Sequence, residues 1–185
     1  MGDQGSEGLL SPFLRARRIK AVKRHIRGTV LDMGCGAGFL ADFVDPENYV
    51  GFDPDPESLE AARQRNPCHS FRNLLPSPED RFDSIVALAV IEHLTDPGEF
   101  LVAMAARLDP GKGSRIILTT PHPWFERAYK IGAALGFFSR QADEEHQKLL
   151  DLTAMELLAA RSGLRISLYR RFLLGANQLF ILERR

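Results

Sequence analysis

Short apolar runs alternate along this chain with longer stretches whose apolar residues recur at helical spacing. The runs at 30–33, 49–53, 69–72, 84–88 and 115–119 read as strands, and the spacing between them predicts helices over 38–44, 56–65 and 97–108. Ahead of the first run, 12–27 carries Phe13, Leu14, Ile19, Val22 and Ile26 at helical spacing, which predicts an amphipathic helix leading into the sheet. The run that begins at Ser84 continues without alternation through Ala89, Val90 and Ile91, the pattern of a central parallel strand covered on both faces. Asp55 is placed to cap the helix that Pro56 opens. A last helix over 153–162 stops at Gly163, and the runs 164–172 and 176–184 close the chain as an antiparallel pair around Gly175, Ala176 and Asn177. Strand–helix alternation predicts an α/β domain of three layers, with its ligand beyond the carboxyl ends of the strands. Between 123 and 150 the rhythm breaks: Trp124, Phe125, Tyr129, Leu135, Phe137 and Phe138 fall in no strand pattern, and Gly132 and Gly136 interrupt them. That segment is expected to be an inserted lid on the substrate side.

Charge changes this picture only locally. Lysine plus arginine and aspartate plus glutamate both number 24, so a net charge of zero gives no whole-molecule attraction to nucleic acid or to an anionic membrane. Arg15, Arg17, Arg18, Lys20, Lys23, Arg24 and Arg27 nevertheless gather on the 12–27 helix, either as a solvated outer face or as a surface for an anionic substrate. The 185 residues suit one domain with a full core, and the polar stretch 1–10 is expected to be a disordered lead. Two cysteines, Cys35 and Cys68, form neither a disulfide framework nor a zinc pattern, and no apolar run is long enough to span a bilayer. The expectation is a cytoplasmic protein with no membrane partner.

The chemistry concentrates at 30–41. An apolar run ends at Asp32 and Met33, three glycines follow at alternate positions (Gly34, Gly36, Gly38) with Cys35 and Ala37 between them, and helix-compatible residues resume at Phe39. Glycine reaches positive φ and carries no side chain to keep a ligand off the backbone. Twenty-one positions after Asp32 the next run ends in Asp53, an acid at a strand tip that can accept from both hydroxyls of a ribose. Together they specify a nucleoside-containing cofactor. A dinucleotide loop needs G-x-G-x-x-G, and here the third glycine comes one position early, with Phe39 in the expected place.

As it stands, D-x-G-x-G-x-G closely resembles the first motif of the class I S-adenosylmethionine-dependent methyltransferases. Phe82-Asp83, the following apolar run and Glu92-His93-Leu94-Thr95-Asp96-Pro97 look like that family's fourth strand and the segment after it; 108–121 looks like its helix-end turn and fifth strand. The set is most similar to the methyltransferase type 11 group that includes the ubiquinone-biosynthesis O-methyltransferases. The resemblance implies a Rossmann-like, seven-stranded, mostly parallel sheet with its last strand antiparallel, and S-adenosylmethionine as cofactor. It places the methionine end at Asp32, Gly34, Gly36 and Gly38 within the loop that includes Cys35 and Phe39, the ribose at Asp53 and the adenine against Pro54. Leu88 and Ala89 form the floor near the methyl group. Related enzymes often contact adenine through an acid after the third strand, where this chain has Asn73.

Methyl transfer to a hydroxyl or amine is helped by a base that titrates near neutrality, which makes His93 and His122, beyond the fourth and fifth strands, the catalytic candidates. His146 falls in the polar run 143–147 and reads as part of a helix surface. The leading expectation is transfer by in-line displacement to a rather apolar small molecule bearing an oxygen or nitrogen nucleophile. A second reading is an RNA methyltransferase, because Glu92, His93 and the distant His146 are similar to the metal-binding pattern of the small-RNA 3′-terminal ribose 2′-O-methyltransferases. Ala89 stands where that pattern has its first glutamate, so no metal site is expected. A third reading is a cofactor-binding module without turnover.

Overall fold

Seven strands form one sheet in the order β3-β2-β1-β4-β5-β7-β6. In the computed structural model, which describes residues 11–111, 113–124 and 150–185 (Ser11 by its backbone alone), they are β1 Val30–Met33, β2 Tyr49–Phe52, β3 Ser70–Arg72, β4 Ser84–Leu88, β5 Arg115–Pro121, β6 Leu164–Phe172 and β7 Asn177–Arg184. Strands β1 to β5 run parallel; β7 pairs antiparallel with both β5 and β6. Chain order reverses at β1 and β4, and a crevice opens there because the connections leave in opposite directions.

Side-chain alternation sorts the strands onto two cores. Val30, Tyr49, Phe71, Val86, Ile117 and Leu179 face α1 (Ser11–Val22) and α2 (Pro56–Arg65), which contribute Ile19, Val22, Leu59 and Ala62. Leu31, Met33, Ile85, Ala87, Ile116, Leu118, Phe180 and Leu182 face α3 (Pro97–Arg107) and α4 (Leu152–Arg161), which supply Leu101, Met104, Met155 and Ala159. Three layers result, as the alternation predicts. Each of α2, α3 and α4 begins at an aspartate cap: Asp55 accepts from the N–H groups of Glu57 and Ser58, Asp96 from Glu99, and Asp151 from Ala154.

Three expectations need correction. The helix over 38–44 does not form: after a run of turns, only a 3-10 turn, Ala41–Phe43, is present. Gly36 and Gly38 sit at positive φ, Val44 is already extended and Pro46 opens the next turn, so too few residues remain to nucleate an α-helix. The basic helix ends at Val22 rather than at 27; a 3-10 turn, Lys23–His25, follows, and Gly28 at φ +51° swings the chain into β1 beside Asp83. Phe13, counted in its apolar stripe, is half exposed. The closing hairpin ends β6 at Phe172 as expected but starts β7 at Asn177 rather than at 176, and in the turn between them Leu173, Leu174 and Gly175 are all left-handed. The expected lead at 1–10 and all but the ends of the expected lid at 123–150, His146 included, lie outside the described residues.

Candidate cofactor site

A cavity of about 530 Å3 lies over the carboxyl ends of β1 and β4. The glycine loop bounds it with Gly34, Cys35, Gly36, Ala37, Phe39 and Leu40, and β1 contributes Asp32. Leu88, Ala89 and His93 close it on the β4 side, and α1 covers it with Leu14, Arg15, Arg18 and Ile19. The loop is pinned to the neighbouring strand, since the N–H groups of Gly34 and Cys35 both donate to the Phe52 carbonyl (2.8 and 3.0 Å). Its three glycines do different things. A Cβ on Gly36 would meet nothing within 4 Å, so this backbone faces open space, as a ligand cradle requires. A Cβ on Gly34 would stand 2.6 Å from Val90 Cγ2, where the loop packs on the chain leaving β4. Gly38 is buried against Phe71, Ala62 and Asn66, and Asn66 donates to its carbonyl (2.9 Å). It serves packing rather than the ligand approach expected of it.

Asp53 stands just outside the lining, tied into the loop from the tip of β2. One carboxylate oxygen accepts from the Gly36 N–H (2.8 Å), the other from Asp55 N–H (3.0 Å). An ionised carboxylate has about four lone-pair directions, so two remain for further donors. Pro54 and Asn73 are exposed and border no part of the cavity. His93 borders it; His122 does not. The His122 Nδ1 atom accepts from the Trp124 N–H (3.2 Å), and burial, with Arg171 nearby, holds its pKa below the ordinary histidine range.

Of two buried carboxyls in this region, Asp32 lines the cavity and Glu92 lies beside the lining residue His93 in the chain. Asp32 accepts from the Tyr49 hydroxyl (2.7 Å), and burial, reinforced by the Asp53 charge and opposed by that hydrogen bond, pushes its pKa up to about 7. Glu92, beside His93, is also pushed upward by burial, and its Oε2 has no hydrogen-bond partner among the described residues. Arg18, whose charge opposes that rise, is anchored to β7 through Asn177 Oδ1 (3.1 Å). Arg15 stacks on the Phe39 ring with its guanidinium carbon 3.7 Å from the centroid. In the sequence these arginines belong to a charged helix that reads as a solvated face or as a surface for an anionic substrate, and nothing there assigns them to the cofactor cavity. Leu14, Arg15, Arg18 and Ile19 share one helical stripe, which was the available signal.

A family model described as "Methyltransferase domain" matches residues 10–168. The chain belongs to the methyltransferase-domain family. By family it is a class I S-adenosylmethionine-dependent methyltransferase, and S-adenosylmethionine is its cofactor. Its curated relatives include the ubiquinone biosynthesis O-methyltransferase of Rhodopseudomonas palustris (strain TIE-1), 34% identical over 114 residues, covering 57% of this chain and 45% of the relative. The human mitochondrial ubiquinone biosynthesis O-methyltransferase is 29% identical over 132 residues, covering 58% and 34%. This methyltransferase thus aligns with less than half of the length of those relatives. Among solved structures, magnesium protoporphyrin IX methyltransferase from Synechocystis PCC 6803 with bound SAH superposes with a TM-score of 0.71 at 15% identity, over 100% of this chain and 90% of that one. A possible histamine N-methyltransferase from Thermotoga maritima gives 0.70 at 18%, over 96% and 92%. These two show the fold. No helix of the described residues is long and apolar enough to cross a membrane.

Proposed function

We propose that this methyltransferase binds S-adenosylmethionine in the cavity beneath α1 and transfers its methyl group to a largely apolar small molecule bearing an oxygen or nitrogen nucleophile. The observation that carries the reading is the cavity's charge pattern: one carboxyl, Asp32, and two guanidinium groups, Arg15 and Arg18, around a glycine backbone open at Gly36. A methionine moiety carries an ammonium and a carboxylate, and that set matches both. Asp53 accepts the ribose hydroxyls with the lone pairs its two backbone partners leave. When bound, the cofactor supplies an electrophilic methyl group on a sulfonium. The chain's own part is to bind, to orient and to exclude water, and Leu88, Ala89 and Ile19 give the cavity its apolar surface.

The left-handed backbone of Ala89 (φ 58°), held by its N–H to the Thr119 carbonyl (2.8 Å), turns the chain sharply at the end of β4 and brings His93 to the cavity. His93 takes the proton from the acceptor. The relatives' role in ubiquinone biosynthesis supports an oxygen acceptor on an apolar body. Ala89 stands where the RNA enzymes' pattern has a metal-binding glutamate, and transfer without a divalent ion is therefore the expectation. Calorimetry should show S-adenosylmethionine binding and no NAD binding. Turnover of labelled S-adenosylmethionine over pools of phenolic and amine metabolites should persist in excess chelator. His93→Ala should lower kcat by roughly 10²- to 10⁴-fold with cofactor affinity unchanged. Chelator-sensitive transfer to small RNA would replace this reading with the RNA one.

A further inference from the structure

Tyr49 is the first residue of β2, opposite Val30 in the register, yet its hydroxyl reaches two residues along β1 to Asp32. The ring is buried (2% exposed) and fixed edge-on by His69 and Phe71, at centroid distances of 5.3 and 5.7 Å. Gly51, the next β2 residue on this face, has no side chain: a Cβ there would lie 2.7 Å from Phe71 and 3.0 Å from Cys35 Sγ. Phe71 and Cys35 therefore close over Gly51 and wall the phenol in. A buried phenol this constrained has one use for its proton, and Asp32 Oδ2 receives it.

We propose that Tyr49 is a positioning residue for cofactor binding, tying down one oxygen of Asp32 so that the other is presented, ionised, to the ammonium of the methionine moiety. The inference rests on the reading above that Asp32 meets that ammonium. A carboxyl buried to 3% exposure is expensive to ionise, and the Tyr49 hydrogen bond is the contact that favours its charged form. Other groups face Asp32 from each side. Asp53, at the tip of β2, disfavours its ionisation; the Cys35 thiol of the loop is held neutral by burial; Arg15 and Arg18 of α1 and His93 beyond β4 line the same cavity. With Asp32 poised at about 7, cofactor affinity falls as pH drops through neutrality, because the protonated carboxyl no longer offers the ammonium a charge. Removing the hydroxyl raises the Asp32 pKa and moves that acid limb upward.

The test is the pH dependence of S-adenosylmethionine affinity, measured by calorimetry between pH 5.5 and 8.5 on the full chain. Tyr49→Phe keeps the ring packing and should shift the acid limb up by roughly one unit, weakening binding about fivefold at neutrality and about tenfold at the acid end of the range. Global replacement of tyrosine by 3-fluorotyrosine, whose phenol is the stronger donor, should move the limb down; this arm stands even if Tyr49→Phe folds poorly. Asp32→Asn should flatten the acid limb altogether. If Asp32→Asn flattens the limb while the phenylalanine and fluorotyrosine proteins titrate like the wild type, Tyr49 does not position Asp32 and the proposal fails. If Asp32→Asn binds and titrates like the wild type, the placement of the methionine moiety itself is wrong.

Discussion

Asp53 shows how much work one side chain carries at the residue scale. Its two oxygens hold the N–H groups of Gly36 and Asp55, so it shapes the loop before any ligand arrives. Asp53→Ala removes that shape and the ribose acceptor together. Each charge-assisted hydrogen bond is worth about 1.5–3 kcal/mol, so losing even one weakens S-adenosylmethionine binding roughly tenfold or more. Asp53→Asn keeps an acceptor for one backbone N–H and should fall between the alanine variant and the wild type in calorimetry. Unchanged affinity in the alanine variant would remove Asp53 from the site. The sequence marks Asp53 by its place at a strand tip, but not the second task. That one depends on the loop folding back onto β2, which only the tertiary arrangement reveals.

Among elements, the strands were legible and the loop between β1 and β2 was only half so. Apolar runs such as Ile85-Val86-Ala87 announce a strand because a central parallel strand is buried on both faces, and all three residues are almost fully buried. Residues 38–44 are helix-compatible in type, yet left-handed Gly36 and Gly38 and the nearby Pro46 leave only the 3-10 turn. Likewise, spacing puts Arg15 and Arg18 on one stripe of α1, but nothing in the spacing says that the stripe roofs a cavity. The glycine loop yields a paired prediction. At Gly36 a new side chain enters open space and costs mainly the left-handed backbone, about 1–2 kcal/mol, so Gly36→Val should fold with a modestly lowered Tm and lose cofactor binding by filling the cradle. At Gly34 even a Cβ meets Val90, so Gly34→Ala should lose stability before the cofactor is considered. Thermal melts and calorimetry on the two variants check the pair, and normal cofactor binding by Gly36→Val would refute the cradle.

On the scale of the whole molecule, the site joins segments that are distant in sequence and meet only in the folded sheet. The cavity is closed by α1 from one end of the described chain, by the loop after β1 and by the turn after β4, and Arg18 bonds to Asn177 near the other end. A ligand seated among them contacts three segments that separate on unfolding, so its binding energy becomes folding energy through mass action. At one hundred times its Kd, a ligand that binds only the folded state adds about 2.7 kcal/mol, which for a chain of this size raises Tm by roughly 5–10 °C. S-adenosylmethionine should therefore give a saturable rise in Tm, and NAD none. The rise should vanish in Gly36→Val. Shortening the chain to begin after α1 should abolish it even at high ligand concentration, because Arg15 and Arg18 go with the roof. A full Tm rise without α1 would mean that the cofactor is held by the glycine loop and Asp53 alone, and the basic helix would then have to be explained by something other than this site.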